Sequence, residues 1–128
     1  MKALESATAQ DPKNAKLQSD LAAAYLVRAS RLDEPSDIPK ALEAAEKSIE
    51  QNDAPVEAWF NRALALEQLH LVDAARKAWD DYLKRDSSSP WAEEAKKRRD
   101  ELPPAQQSTV EEDRSSARAA LAEGKAAV

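Results

Sequence analysis

Few side chains in this sequence are of the kinds that carry out catalysis or bind metal ions. His70 is the sole histidine of the chain, and cysteine is absent. Metal sites and nucleophilic or acid–base catalysis need several such groups brought together, so we interpret His70 as a residue of a loop or a helix end. GxSxG, HExxH and Gly-rich phosphate-binding motifs are also absent. The sequence predicts no enzymatic activity, no cofactor and no metal site.

A basic cluster, KKRR at 96–99, could contact nucleic acid. Glu93 precedes Lys97 by four residues and Glu94 precedes Arg98 by four, which is the favourable spacing for ion pairs along a helix. A formal net charge of -5 also disfavours a nucleic-acid partner. We therefore interpret the cluster as a solvated, self-neutralised helix face.

The three tryptophans, Trp59, Trp79 and Trp91, could stack on bases or anchor a peptide. Trp59 and Trp79 stand at positions that an internal repeat of the chain assigns to the core, so we expect both to be buried. The role of Trp91 is left open.

The composition favours an all-α protein. Of 128 residues, 42% are hydrophobic, 34% are charged and one is Gly, and Ala, Leu, Glu, Lys and Arg, which are good helix formers, are abundant. The chain has the length of one domain or one short array. It contains no apolar run of about 20 residues and no signal-peptide core at its N-terminus, which predicts a cytoplasmic protein without a membrane partner.

The sequence repeats itself. Residues 41–53 align with 75–87 at an offset of 34, and this alignment pairs residues every fourth position along one helical face: Ala41 with Ala75, Ala45 with Trp79, and Ile49 with Leu83. Upstream, 20–29 aligns with 61–70 at an offset of 41. The difference of seven residues predicts an insertion in the first unit, which we place in 32–39, a segment with two prolines that we expect to be a loop.

A helix-turn-helix period of 34 residues resembles the tetratricopeptide repeat (TPR). The second unit, 56–86, carries the resemblance best, because large, small and turn-forming residues fall where that family has them: Trp59, Ala63, Leu66, Ala75, Trp79 and Asp86. Four residues depart from the pattern: Arg62 replaces Leu, His70 a turn Gly, Tyr82 an Ala and Ser87 a Pro. The resemblance implies an α-α superhelix, a solenoid of helical hairpins.

This resemblance divides the chain into units. A first repeat spans 14–52 with its insertion, a second spans 56–86, and 90–102 forms a C-terminal capping helix that begins with Ser89 as N-cap and Pro90. Residues 1–10 resemble the end of a truncated preceding repeat, with Leu4 and Ala7 on its packed side. We therefore expect 1–102 to be a TPR-like domain taken from a longer protein, followed by a polar linker and weakly helical tail at 103–128.

Two small residues, Ala63 and Ala75, are expected to let the two helices of the second unit approach closely, with large side chains filling the space around them. A bulkier side chain at either alanine should overpack the pair.

The resemblance also implies a concave surface lined by the first helix of each unit. It would be formed by Lys16, Ser19, Asp20 and Ala23 of the first unit and by Glu57, Phe60, Asn61, Leu64 and Gln68 of the second. Phe60 and Leu64 would be its apolar part, with packing of Phe60 on a neighbouring unit as the alternative. Because Asp20 and Glu57 are acidic and only Lys16 is basic, we do not expect capture of a C-terminal carboxylate.

These features predict a non-catalytic protein–protein interaction module that binds a peptide or a partner domain, or associates with itself through exposed repeat ends. The segments 20–29, 41–53 and 57–83 are also similar to repeats upstream of caspase-like CHAT protease domains in bacterial proteins. That resemblance implies, as an alternative, a regulatory arm whose catalysis lies outside this chain.

Overall fold

A computed structural model describes residues 1–104 of the chain. This part is entirely α-helical, as predicted, and contains no strand. The helices are α1 (Lys2–Gln10), α2 (Ala15–Arg31), α3 (Asp37–Ile49), α4 (Val56–Gln68), α5 (Val72–Leu83) and α6 (Pro90–Glu101). The prediction for the tail falls, from 105 onward, outside the described residues.

Side-chain caps fix the start of two helices. The Asn14 side chain accepts a hydrogen bond from the Leu17 amide at 3.0 Å and begins α2. The Ser89 hydroxyl accepts from the amides of Trp91 and Ala92 at 3.1 and 3.3 Å, and Pro90 is the first residue of α6. The predicted start of the last helix is therefore confirmed.

The turn between α4 and α5 contains His70, whose φ of 61° lies in the left-handed region. Glycine is the usual residue there because it has no Cβ to clash with the neighbouring carbonyl. The structure thus explains why a Gly is expected at this position, and it confirms that His70 belongs to a connection rather than to a cluster of functional groups.

The loop predicted at 32–39 is partly wrong, because α3 already begins at Asp37 and includes Pro39. A proline in the first turn of a helix sacrifices no intrahelical hydrogen bond, since the first four N–H groups have no acceptor there. The extra residues of the first unit are instead distributed over its two helices and the connection between them. Helix α2 has 17 residues where α4 has 13, and α3 has 13 where α5 has 12. The connection between the helices is 32–36 in the first unit and 69–71 in the second.

Each helix contacts the next along the chain, and α2 also contacts α4. Two hydrophobic clusters result. The first cluster lies mainly between α2 and α3 and contains Leu21, Ala22, Tyr25, Leu26, Ala29, Ile38, Ala41, Ala44, Ala45 and Ala65. The second cluster contains Ala63, Leu66, Ala75, Ala78, Trp79, Tyr82 and Ala95. Ala63 and Ala75 are fully buried within the second cluster, as the close approach of α4 and α5 requires.

The two terminal helices each cover part of this core. Leu4 of α1 packs against the first cluster, as expected, and the Tyr25 hydroxyl donates to the Glu5 carboxylate at 2.6 Å. Ala95 of α6 is buried in the second cluster. Within residues 1–104, no helix is both long enough and apolar enough to cross a bilayer.

Candidate functional site

The residues predicted to line a binding surface lie on two contacting helices, α2 and α4. Lys16, Asp20, Glu57 and Gln68 are exposed, and Ala23, Phe60, Asn61 and Leu64 are half-buried. We call the exposed and half-buried members, apart from Phe60, the groove surface: Lys16, Asp20, Ala23, Glu57, Asn61, Leu64 and Gln68. Seven of the nine predicted residues are therefore exposed or half-buried on these two helices.

Ser19 is a correction to the predicted set, because it is only 3% exposed. It shares one face of α2 with Ala15, Ala22 and Leu26, which are all buried. Residues at such spacings of three and four lie above one another on a helix. Ser19 is thus part of the buried stripe of α2 and cannot contact a ligand.

Phe60 is a second correction, because it lies among three aromatic rings rather than standing open in a groove. Its ring meets those of Trp79, Tyr82 and Trp91 edge to face, with centroids 4.9, 5.3 and 5.3 Å apart. This is the favoured geometry for aromatic pairs, since the positive edge of one ring meets the negative face of the other. Phe60 therefore packs against α5 of its own unit and against α6, so the alternative of packing on a neighbouring unit holds for Trp91 alone.

Leu64 packs against both hydrophobic clusters, and so occupies the junction between the two units. Its half-buried side chain leaves one apolar strip on the groove surface. The groove surface thus has a smaller apolar area than the sequence predicted. A ligand there would depend more on hydrogen bonds and charges than on apolar contacts.

Asn61 and Gln68 are the two primary amides of the groove surface. Asn61 is half-buried and Gln68 is exposed. A primary amide both donates and accepts, so it can pair with the N–H and C=O of an extended peptide. Asn61 and Gln68 are therefore the two residues of this surface suited to hold a peptide backbone.

The charges of the groove surface sum to a negative value. Lys16 donates to Asp20 at 3.2 Å, so its ammonium is already paired. The exposed Glu57 makes no ion pair within the described part of the chain. Lys16 is thus the single basic residue of the groove surface, beside two carboxylates.

The sequence left the role of Trp91 open, and in the structure this residue is 62% exposed. One side of its ring rests on Phe60, and the rest faces solvent. The spacing of four residues from Trp91 to Ala95 repeats that from Trp59 to Ala63, and it indicated that Trp91 lies in the first turn of the last helix. The spacing could not indicate exposure, because exposure depends on whether another part of the chain covers the outer side of α6.

Trp59 is only half-buried, so the prediction that it belongs to the core holds in part. The guanidinium of Arg85 lies over its ring at 3.4 Å from the centroid, and that of Arg62 lies at 5.0 Å. Arg62 also donates to Asp81 of α5 at 2.8 Å. These cation–π and ionic contacts hold Arg62 between α4 and α5.

A hydrogen-bonded corner fixes α6 relative to α5. Asp86 accepts from the Tyr82 hydroxyl at 2.5 Å, from the Ser89 hydroxyl, and from the Ser88 and Ser89 amides. The Ser89 and Tyr82 hydrogen bonds lower the pKa of Asp86 to about 2. Burial, with the bond to Asp86, raises the pKa of Tyr82 to about 12. The corner thereby positions Trp91, two residues after Ser89.

The basic cluster at 96–99 holds α6 in place. Arg98 pairs with Glu94 at 2.8 Å, as predicted, and also with Glu67 of α4 at 3.0 Å. Arg99 pairs with Asp80 of α5 at 3.0 Å. The predicted pair of Glu93 with Lys97 is replaced by one with Lys96 at 3.8 Å. Two of the four basic residues thus bind other helices of the same chain.

Residues 1–104 contain no group of three or more His, Cys, Asp and Glu side chains that could hold a metal ion. Comparison of the whole chain with protein-family models, with curated proteins and with solved structures finds no match.

Proposed function

We propose that this chain is a TPR-like, non-catalytic interaction module that binds a peptide or an extended segment of a partner protein along the groove surface. The observation that carries the proposal is the half-buried Asn61 amide on α4, a helix that contacts α2. It offers a peptide backbone a donor and an acceptor at one point.

The arrangement of helices supports the TPR-like assignment. Two hairpins of similar length follow one another, the first helix of one hairpin contacts the first helix of the next, and equivalent alanines are buried in both. Such stacking creates an extended surface along the first helices of the units, which suits an elongated ligand better than a small molecule.

The chemistry of the groove surface defines the ligand further. Glu57 favours a basic side chain, Leu64 favours an apolar one, and Asn61 favours the backbone between them. The paired Lys16 leaves no basic group of this surface for a terminal carboxylate. An extended segment with a lysine or arginine near an apolar residue therefore fits best.

A random-peptide library displayed on phage provides the test. Peptides selected on the wild-type chain are expected to carry a basic residue, and Asn61→Ala is expected to weaken their binding about tenfold, since it removes a hydrogen-bonding pair worth about 1 kcal/mol or more. Glu57→Lys should weaken binding further. Glu46→Ala, an exposed position on α3, serves as the matched control and should leave the affinity unchanged. Selected peptides whose affinity is indifferent to Asn61 and Glu57 would overturn the proposal.

A further inference from the structure

Helix α4 carries four residues of the groove surface, and we call them the α4 strip: Glu57, Asn61, Leu64 and Gln68. A helix rises about 1.5 Å per residue and completes two turns in about seven residues. The amides of Asn61 and Gln68, which are seven residues apart, therefore lie on the same side of α4, about 10.5 Å apart along its axis. Leu64 lies between them, and Glu57 lies one turn before Asn61. The strip thus has two amides that flank an apolar residue, with a carboxylate at one end.

The α4 strip is accessible although α4 has neighbours in the array of helices. Helix α4 contacts α2 and α3 of the first unit and α5 of its own unit. The ring of Phe60 also meets that of Trp91 on α6, with the centroids 5.3 Å apart. With these helices in place, Glu57 and Gln68 are exposed and Asn61 is half-buried. The strip is therefore not the uncovered end of the array.

The spacing of the two amides favours one backbone conformation of a bound peptide. A polyproline II helix has three residues per turn and rises about 3.1 Å per residue, so equivalent carbonyls recur about every 9.3 Å, which is within about 1.2 Å of the amide spacing. In a β-strand the carbonyls of one edge recur at about 6.7 and 13.3 Å, so the mismatch is about 3 Å or more. An α-helical ligand has its carbonyls already bonded internally. A polyproline II chain can therefore present a carbonyl to each amide.

The position of both amides on one helix also defines the direction of the ligand. A chain that crosses from α2 to α4 would meet only one of them, because they lie two helical turns apart. On α2 the offset of 41 places Asp20 and Val27 at the equivalent positions, and neither is an amide. A ligand that contacts both amides therefore runs along the axis of α4.

We propose that the α4 strip binds a basic, proline-rich segment of a partner protein, which lies along α4 in the polyproline II conformation. This inference rests on the proposed function and deepens it. Asn61 and Gln68 donate to two carbonyls three residues apart, which suits proline because proline has a carbonyl but no N–H. Leu64 contacts the proline rings between these carbonyls. Glu57, about 6 Å before Asn61 along the axis, pairs with a lysine or arginine two residues outside the first bonded carbonyl.

Three synthetic peptides test this arrangement by NMR titration of the full chain. Each has a lysine at both ends, so that either chain direction can bind, and five prolines, five threonines or five glycines between them. The proline peptide should bind at least tenfold more tightly than the other two, because its backbone is already in the bound conformation. Asn61→Ala and Gln68→Ala should each weaken its binding roughly three- to tenfold, the usual effect of one hydrogen bond. Gln10→Ala, which removes an exposed amide at the end of α1, is the matched control and should leave the affinity unchanged.

Two results would overturn the inference: a proline peptide that binds no better than the glycine peptide, and an affinity that Gln68→Ala leaves unchanged. The peptides selected from the phage library separate this failure from that of the proposed function. Selected peptides that depend on Asn61 and Glu57 but not on Gln68 keep the groove surface as a binding site and remove the alignment of the ligand along α4. Selected peptides that depend on none of the three residues remove both proposals.

Discussion

The two hairpins, α2–α3 and α4–α5, fill equivalent positions with very different side chains. Where the first has Ala45 and Ser48 on its second helix, the second has Trp79 and Tyr82, at an offset of 34 residues. All four are buried. The two units therefore share the spacing of their buried positions, while the volumes at those positions differ by the size of an aromatic ring.

This difference in side-chain volume is compensated by the way the other helix of each hairpin packs, α2 in the first and α4 in the second. In the first hairpin the small Ser48 donates its hydroxyl to the Ala15 carbonyl at 2.7 Å, which is possible only where α3 lies close to α2. In the second hairpin Phe60 of α4 packs edge to face on Trp79 and Tyr82. The comparison teaches that the buried alanine positions define the hairpin, and that the surrounding volume can be filled by backbone approach or by aromatic rings.

A second contrast lies in polar contacts. Asp37, which is buried, accepts from Arg28 in a bidentate pair at 2.7 and 2.9 Å, and this pair joins α2 to α3 across the longer connection. The second hairpin has a connection of three residues, 69–71, and a His70 turn instead. The Arg28–Asp37 ion pair thus stabilises the end of α2 and the start of α3, where the first unit is longer than the second.

The largest effect is expected from removing the aromatic filling of the second hairpin. Trp79→Ala should lower the free energy of unfolding by about 3–5 kcal/mol, because it leaves a large cavity in a fully packed site. Urea denaturation measures this loss. Trp91→Ala, at an exposed position, is the control and should cost far less; similar losses would mean that the aromatic core is not closed around Trp79.

Asp37→Asn tests how much the Arg28–Asp37 ion pair stabilises the first hairpin. The hydrogen bonds from Arg28 lower the pKa of Asp37 below its usual value. A carboxylate with a lowered pKa in the folded state stabilises the fold above its unfolded pKa of about 3.9, and loses this effect as the pH falls through the folded pKa. The wild type should therefore be more stable than the variant at pH 7, and the gap in melting temperature should narrow as the pH falls from the unfolded pKa through the lower pKa of the folded state.

Asp20→Asn is the control for that experiment, since Asp20 belongs to an exposed pair with Lys16 and should change the melting temperature little. A variant as stable as the wild type at pH 7 would contradict the assigned role of the Asp37 carboxylate.

Tyrosine ionisation probes both hairpins at once, because Tyr25 and Tyr82 are the chain's only two tyrosines. Burial and a hydrogen bond to a carboxylate raise the pKa of each to about 12. A raised pKa stabilises the fold below the unfolded pKa of about 10 and loses this effect as the pH rises toward 12. The absorbance of phenolate should be absent from the native chain at pH 10.5 and present in urea. Ionisation of about a quarter of the phenol groups of the folded chain at pH 10 would show that one of the two rings is open to water.

The smallest effect on the free energy of unfolding is expected at the contact between Arg85 and Trp59, at the surface of the second hairpin. Arg85→Ala should cost about 0.5–1 kcal/mol, the typical value of an exposed cation–π contact, because the guanidinium covers the Trp59 ring. Lys77→Ala, at an exposed position of α5, should have no measurable effect. Tryptophan emission should also shift to longer wavelength in Arg85→Ala alone, as water reaches Trp59.

Much of the fold follows from the sequence because spacing is a local property. The offsets of 34 and 41 residues located both hairpins, the Ser89 cap located α6, and the Gly-like position of His70 located a turn. The boundary of α3 was placed too late because Pro39 looked like a loop residue, although the first turn of a helix accepts it.

The candidate site was less predictable, because exposure depends on neighbours that the sequence does not reveal. Ser19 lies one position before Asp20, yet one is buried and the other exposed. Phe60 is covered by rings from two other helices, and Trp91 is exposed because within residues 1–104 no helix follows α6. Such contacts between distant segments set which side chains of a predicted face remain accessible.

The central claim is that both hairpins are built on the same buried alanine positions, and equivalent substitutions test it most directly. The free energies of unfolding of Ala41→Leu and Ala75→Leu should each fall by roughly 1–3 kcal/mol through overpacking, whereas the exposed Ala74→Leu should stay within about 0.5 kcal/mol of the wild type. A loss at Ala75 without a comparable loss at Ala41 would show that the two hairpins are not equivalent.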